Sequence, residues 1–434
     1  MSTSPNYAEA FARVERDEPA WLAERRRLAI ERFSLLGFPT TRDEDYKYTN
    51  LKKIASTDWQ AGDYEGSQDL DLDRVAYAGQ EAARLVFVNG VPELGWAQDE
   101  RVTVRSIREA AERSPELLEG HLARYADFES HALTALNTAF FEDGAVVSIS
   151  DGAVLDDPIH IIWVSTGRDG EAAHPRTLIH AGRESQAQVV ESFISLEDGA
   201  AWTNSVTEIV AEEAARIEHF LVQQESLQAF HTGRIEGLQE RNAYISTISL
   251  SFGAALARND INITLDDEGG ECAIDGLFVV NGKQHVDHHT TLDHAKPHCN
   301  SHQLYKGILD GEAHGVFNGK IIVRKDAQKT DAIQNNKNLL LSPKAEIDTK
   351  PQLEIDANDV RCTHGATIGQ LSKESLFYLR SRGINADDAQ GLLIYAFAAD
   401  LLERITLEPL KEHFERVLMK TLAKDAEDAE GTLR

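Results

Sequence analysis

Cysteine is nearly missing from this chain: Cys272, Cys299 and Cys362 are the only three in 434 residues. An odd, widely spaced trio cannot make a disulfide framework, so any thiol is expected reduced and available as a thiolate ligand. Basic residues are in deficit, with 44 Lys and Arg against 72 Asp and Glu and a formal charge of −28. A surface of that sign repels phosphate backbones and anionic lipid, which argues against nucleic acid and membrane as partners. No run approaches the roughly 18 uninterrupted apolar residues that span a bilayer. The opening MSTSPNYAEAFARVERDEP lacks the basic-then-apolar pattern of a secretion leader. The expected location is therefore the cytoplasm.

Enzyme signatures are missing as well. There is no GxxxxGK[ST] loop, hence no ATP site of the chain's own, and no GxGxxG, GxSxG, HExxH or CxxC. These absences disfavour an ATPase, a Rossmann dehydrogenase, a serine hydrolase and a zinc ribbon, and the chain reads as a non-enzyme.

What is present is a globular composition, 42% hydrophobic and 27% charged. Three regions divide it. Residues 1–139 mix helices and loops: ProAlaTrp at 19–21 opens a helix-like run through Leu22, Leu28, Ile30, Phe33 and Leu36, which Gly37 and Pro39 stop. A short helix is expected over TNLKKIA, capped by Thr49 or Asn50, and RLVFVNG reads as a strand ending in a turn. Residues 140–369 change character, with short β-type runs such as AQVVESFISL, WTNSVTEIVA and AYISTISLS. Small or turn-type residues recur at Ala187, Ala214, Ala243 and Gly270, a near-constant period that predicts a parallel β-helix. A β-sandwich is the alternative on periodicity alone. Residues 370–434 turn helical again, with Ser372 and Asn385 as caps and Leu410, Phe414, Val417, Leu418 and Leu422 on one face of the last helix. These helices are expected to cap the open end of the solenoid and to offer a docking surface, and the tail DAEDAEGTLR to be disordered.

Two stretches carry potential ligands. HVDHHTTLDHAKPHCNSH holds His285, His288, His289, His294, His298, Cys299 and His302. As a strand it sends His285, Asp287 and His289 to one face and His288 to the other. It reads either as a polar β-helix face of histidines hydrogen-bonded between coils or as a metal site and iron entry point. In DVRCTHGATIG, Cys362 and His364 lie one residue apart and face the same way on an extended strand. A thiolate and an imidazole together can ligate iron, but two donors cannot complete a cluster site, so a partner surface must supply the rest. The plainer reading makes both of them core residues.

The run GVFNGKIIVRKDAQKTDAIQNNKNLLLSPKAEIDTKPQLEIDANDVRCTHGATIGQLSKESLFYLRSRGI strongly resembles the core of the SufB/SufD family of iron–sulfur cluster assembly proteins. TKPQLEI followed by CTHGAT resembles the SufD branch, and DEDYKYTNL, VFVNG, ALNTAFFEDGAVV and the histidine-rich stretch extend the resemblance over nearly the whole chain. It implies a mainly β protein, with a right-handed parallel β-helix core between amino- and carboxy-terminal helical domains. It implies a scaffold subunit that pairs with a SufB-like paralogue through the β-helix. A SufC-like ATPase would dock on the carboxy-terminal helices, near Leu371 to Lys424, and SufE- or SufU-type donors would deliver sulfur. By the same resemblance Cys362 and His364 hold a transient cluster at the partner interface and help to acquire iron. A flavin in the complex and a homodimer of the isolated chain are further implications. The rival readings are a SufB-like primary scaffold, disfavoured by the CTHG segment and the scarcity of cysteine, and a β-helix lyase or metal-dependent hydrolase.

Overall fold

The computed structural model describes residues 7–431 apart from residue 15, residues 63–69, and residues 71, 73, 74, 76 and 78. Helices α1 (Tyr7–Ala12), α2 (Ala20–Leu36) and α3 (Lys52–Ser56) come first, followed by strands β1 (Gln60–Ala61), β2 (Ala83–Val88), β3 (Val91–Ala97) and β4 (Val102–Ser106). Helices α4 (Ile107–Arg113), α5 (Pro115–His121) and α6 (Ala132–Phe140) complete the amino-terminal part. From there strands follow one another almost without helix: β5 (Ala145–Ile149), β6 (Ile159–Ser165), β7 (Glu171–Ala173), β8 (Arg176–Ala181), β9 (Gln186–Ser195), β10 (Trp202–Ala211), β11 (Arg216–Gln224), β12 (Phe230–Gln239), β13 (Tyr244–Ser251) and β14 (Leu256–Leu265). The series continues with β15 (Glu271–Val280), β16 (His285–His294), β17 (Asn300–Leu309), β18 (His314–Val323), β19 (Asp331–Leu340), β20 (Glu346–Ile355) and β21 (Arg361–Gly369).

These strands form two facing sheets of a parallel β-solenoid with about eight coils. One sheet runs β20-β18-β16-β14-β12-β10-β8-β5-β4, the other β21-β19-β17-β15-β13-β11-β9-β6-β2-β3. Pairing between coils is parallel and in register, as in Leu256 with His285 and His285 with His314. That pattern excludes the sandwich, whose sheets are antiparallel.

Alternation explains why each strand stays in its sheet. Along β16, Val286, His288, Thr290, Leu292 and His294 are buried while His289, Thr291 and Asp293 are only partly so. Stacking then joins the coils: Ile209, Ile263, Leu292 and Ile321 lie in one inward row, each essentially without exposure. Each such side chain contributes about 1.5–3 kcal/mol of burial. One corner of each coil turns on a left-handed residue: Glu184, Ala214, Asn242, Gly269, His298 and Lys329 all have φ between 55° and 78°. Their backbone N–H groups donate to the next coil's corner, as in Ala214 to Arg241 and His298 to Gln328, so the strained conformation is held by the stack.

Helices α2 and α6 cover the outer face of the first sheet, packing Ile30, Phe33 and Leu136 on Trp202, Phe230 and Leu256. A strap between α2 and α3 is pinned to the same face. Arg258, 1% exposed, bonds Asp287 and Asp260, donates to the Asp45 carbonyl and stacks 3.8 Å over Tyr46. Thr49 donates to Asp287 instead of capping α3, whose cap position is Leu51; only Asn50 reaches back, accepting from Lys52 N.

Beyond β21 come α7 (Lys373–Ser381), α8 (Ala386–Leu402) and α9 (Glu408–Gly431), with Ser372 and Asn385 capping as expected. The expected end cap is not what these helices make. Ile394, Ala398, Leu401, Leu410, Phe414 and Leu418 pack sideways on Val190, Phe220, Ile248, Leu277 and Leu304, the apolar outer face of the second sheet. Helix α8 is latched there by Lys306 to Asp400 and by Arg404 to Asp275. Helix α9 also continues to Gly431 where a disordered tail was expected, because the Ala- and Glu-rich segment has good helix propensity; residues 432–434 lie outside the described ones. No helix among the described residues is long and apolar enough to cross a membrane.

Candidate functional site

Because α8 and α9 lie on the flank, the last coil is open. Strands β20 and β21 end the two sheets, and among the described residues nothing pairs with their outer edges. Every residue of β20 and β21 is at least partly exposed, whereas β18 and β19 still bury alternate side chains. A paired set of bare strand edges is a surface that asks for cover.

Cys362 and His364 stand on β21 at this end. Cys362 is in register with Ala332 and His364 with Gln334, both fully buried inward residues, so both candidate ligands belong to the inward row of the terminal coil. Cys362 is half-buried against the solenoid core, and His364 is exposed. The core therefore anchors the thiol, while the imidazole stands at the exposed end of the coil. Burial, with Asp331 as a lesser cause, pushes the Cys362 thiol up from its ordinary value. In the chain alone it is therefore a protonated thiol near pH 7.

The histidine-rich stretch does not converge. His285 and His289 point outward from β16: His285 pairs with Thr49, its ring 4.9 Å from that of His314, and His289 pairs with Asp287. His288 and His294 point inward, His294 to Ser301 and His288 between the rings of Phe278 and Tyr305. His298 occupies the left-handed corner, Cys299 is buried against the Asp267 carbonyl, and His302 lies outward on β17 in the other sheet. Burial pushes His285, His288 and His294 down to about 4, so they are neutral near pH 7. Among the described residues, no three or more His, Cys, Asp or Glu side chains are arranged to hold a metal ion. The stretch serves inter-coil packing and the anchoring of the strap.

Polar residues inside the solenoid were missed by sequence reasoning. Glu191, fully buried, accepts from Trp163, Thr177 and Thr207 and pairs with His219. Glu225 pairs with His231. Nearer the open end, Gln334 donates to Gln303, which donates to Thr290. The available signal was spacing: Gln303, Gln334 and His364 recur at the coil period, but a polar residue at a coil position carries no mark of which way it faces.

The chain matches two consecutive family profiles. Residues 4–161 match "SufBD protein N-terminal region" and residues 163–397 match "SUF system FeS cluster assembly, SufBD core domain". The chain belongs to the SufB/SufD family. Among its relatives, an iron–sulfur cluster assembly SufBD family protein of Synechocystis is 34% identical over 416 residues, covering 92% of this chain and 91% of that one. The iron–sulfur cluster assembly protein SufD of Escherichia coli is 33% identical over 383 residues, 87% of each chain. The SufD of Bacillus subtilis is 26% identical over 430 residues, 96% of this chain and 98% of its own. Membership in an iron–sulfur assembly family displaces the lyase and hydrolase readings.

Proposed function

We propose that this SufB/SufD-family chain is the SufD-type scaffold subunit of a cytoplasmic SUF complex, without catalytic chemistry of its own. In this reading its open coil joins the solenoid of a SufB-like paralogue, and Cys362 and His364 hold part of a nascent iron–sulfur cluster, the cargo, at the joint and help to acquire its iron. The observation that carries the reading is the placement of a thiol and an imidazole on one inward row of an uncovered terminal strand. Two donors need a partner's donors to close the coordination shell, and the same bare edges supply the surface for that partner.

The carboxy-terminal helices suit a SufC-like ATPase. Helix α7 buries none of its residues, and Phe377 and Tyr378 are 75% and 57% exposed, an aromatic pair of the kind that anchors interfaces. Since α7 follows β21 within a few residues, a pull on the helical domain reaches the strand with the ligands. ATP-driven pairing of two ATPase copies would then move the two scaffold ends as rigid bodies and expose the joint.

The test is anaerobic co-purification of the tagged chain, co-expressed with SufB-like and SufC-like proteins, as wild type and as His364→Ala. The expected result is a fixed-ratio complex in both cases, with iron and sulfide reduced severalfold in the variant. Full loading of the variant sinks the ligand assignment, and a chain that purifies alone with bound metal sinks the scaffold reading.

A further inference from the structure

Behind His364 the inward row is built of amides with a defined direction. Gln303 Nε2 donates to Thr290 Oγ1 at 2.6 Å, and Gln334 Nε2 donates to Gln303 Oε1 at 2.6 Å. All three residues are buried, at 2%, 2% and 0% exposure. Gly319, across the lumen, makes room for this arrangement: a methyl on it would stand 2.2 Å from Gln334 Nε2. The Gln334 amide is therefore held with its nitrogen toward Gln303, away from the open end.

Its oxygen is left over. Gln334 Oε1 is buried and accepts no hydrogen bond. A buried carbonyl without a donor costs free energy, and each such atom in a native fold requires a partner or a purpose. The next residue of that row toward the open end is His364, the register partner of Gln334 on β21. Its imidazole is the nearest inward side chain on that strand with an N–H to give.

We propose that Gln334 is a positioning residue for His364: its Oε1 accepts one ring N–H of the imidazole, fixes the tautomer, and leaves the other ring nitrogen as a lone pair facing the partner surface. With Gln303 donating to Thr290 and Gln334 donating to Gln303, the atom that ends the chain toward β21 is an oxygen. Ligating histidines elsewhere are oriented in this manner by an acceptor behind the ring. The inference deepens the ligand reading and rests on it only for its consequence, because the proposed bond needs no metal to form.

The test uses the full chain, metal-free, with ¹⁵N-labelled histidine, His364 being assigned by loss of its signals in His364→Ala. Ring ¹⁵N shifts near pH 8 give the tautomer ratio. The expected result is one dominant tautomer in wild type and a ratio lower by about fivefold in Gln334→Met, the factor one hydrogen bond of ordinary net strength supports. Gln334→Glu, which keeps an acceptor oxygen, restores the wild-type tautomer. A ratio unchanged in Gln334→Met overturns the proposal. If Gln334→Met folds poorly, Gly319→Ala displaces the same amide and must move the ratio in the same direction; no movement overturns the proposal equally. Iron loading of the complex is read separately: a tautomer that responds to Gln334 while His364→Ala loads normally upholds the positioning and refutes the ligand role.

Discussion

Replacing His288 with Phe should flatten the acid sensitivity of the fold. His288 is fully buried among Phe278, Tyr305 and the solenoid lumen, and neither ring nitrogen has a hydrogen-bond partner. Burial pushes its pKa down to about 4, against about 6.5 in an unfolded chain. The unfolded state therefore takes up a proton first as pH falls. The stabilising contribution of the neutral ring is fully present above about pH 6.5 and is lost as pH drops toward about 4. Between pH 7 and pH 5 that loss is about 2 kcal/mol for this residue. Phe cannot protonate, so the variant should lose about 2 kcal/mol less than wild type over the interval. The assay is urea unfolding of both proteins at pH 7 and pH 5. Any packing cost of the larger ring is the same at both pH values and cancels in the difference. His294, also fully buried and also near 4, remains in the variant and keeps part of the slope. Parallel pH dependences in the two proteins would refute the reasoning, since they would mean that His288 accepts a proton inside the fold without penalty.

Other expectations concern the strap, the thiols and the flank. Arg258→Ala leaves Asp287 and Asp260 without their cation and should cost about 3–5 kcal/mol; limited proteolysis should then cut within residues 40–50, and an uncut strap would contradict this. Cys362 should alkylate slowly below pH 9 despite its partial exposure, because its pKa is raised, while fully buried Cys272 should react only on unfolding; fast labelling of Cys362 at pH 7 would show a thiolate instead. Phe414→Ala removes a ring packed 4.9 Å from Phe252 and should cost about 3–5 kcal/mol, seen as faster amide exchange in α8 and α9 with the solenoid unaffected.

The solenoid was legible because it repeats: Ala187, Ala214, Ala243 and Gly270 fall on successive coils, although only Ala214 is itself a left-handed corner, Ala243 and Gly270 standing one residue past theirs and Ala187 three. The outward and inward faces of β16 were also legible, since alternation follows from the strand itself. What the sequence could not convey was lateral. Whether α8 covers the end or the flank depends on which surface is apolar, and the deciding residues, Val190, Phe220, Ile248 and Leu277, are spread over four coils. The histidine-rich stretch misled for a related reason. Proximity along the chain puts donors on opposite faces of a strand, so seven neighbours in sequence share no centre in space. The converse holds at Cys362 and His364, which are ordinary by composition and become distinctive only where the repeat stops. In every earlier coil the inward side chains are covered by the coil that follows; β21 has no next coil, so its inward row is at once the continuation of the core and an exposed surface. A residue there is held by the fold on one side and exposed on the other, which is what the proposed shared ligand requires.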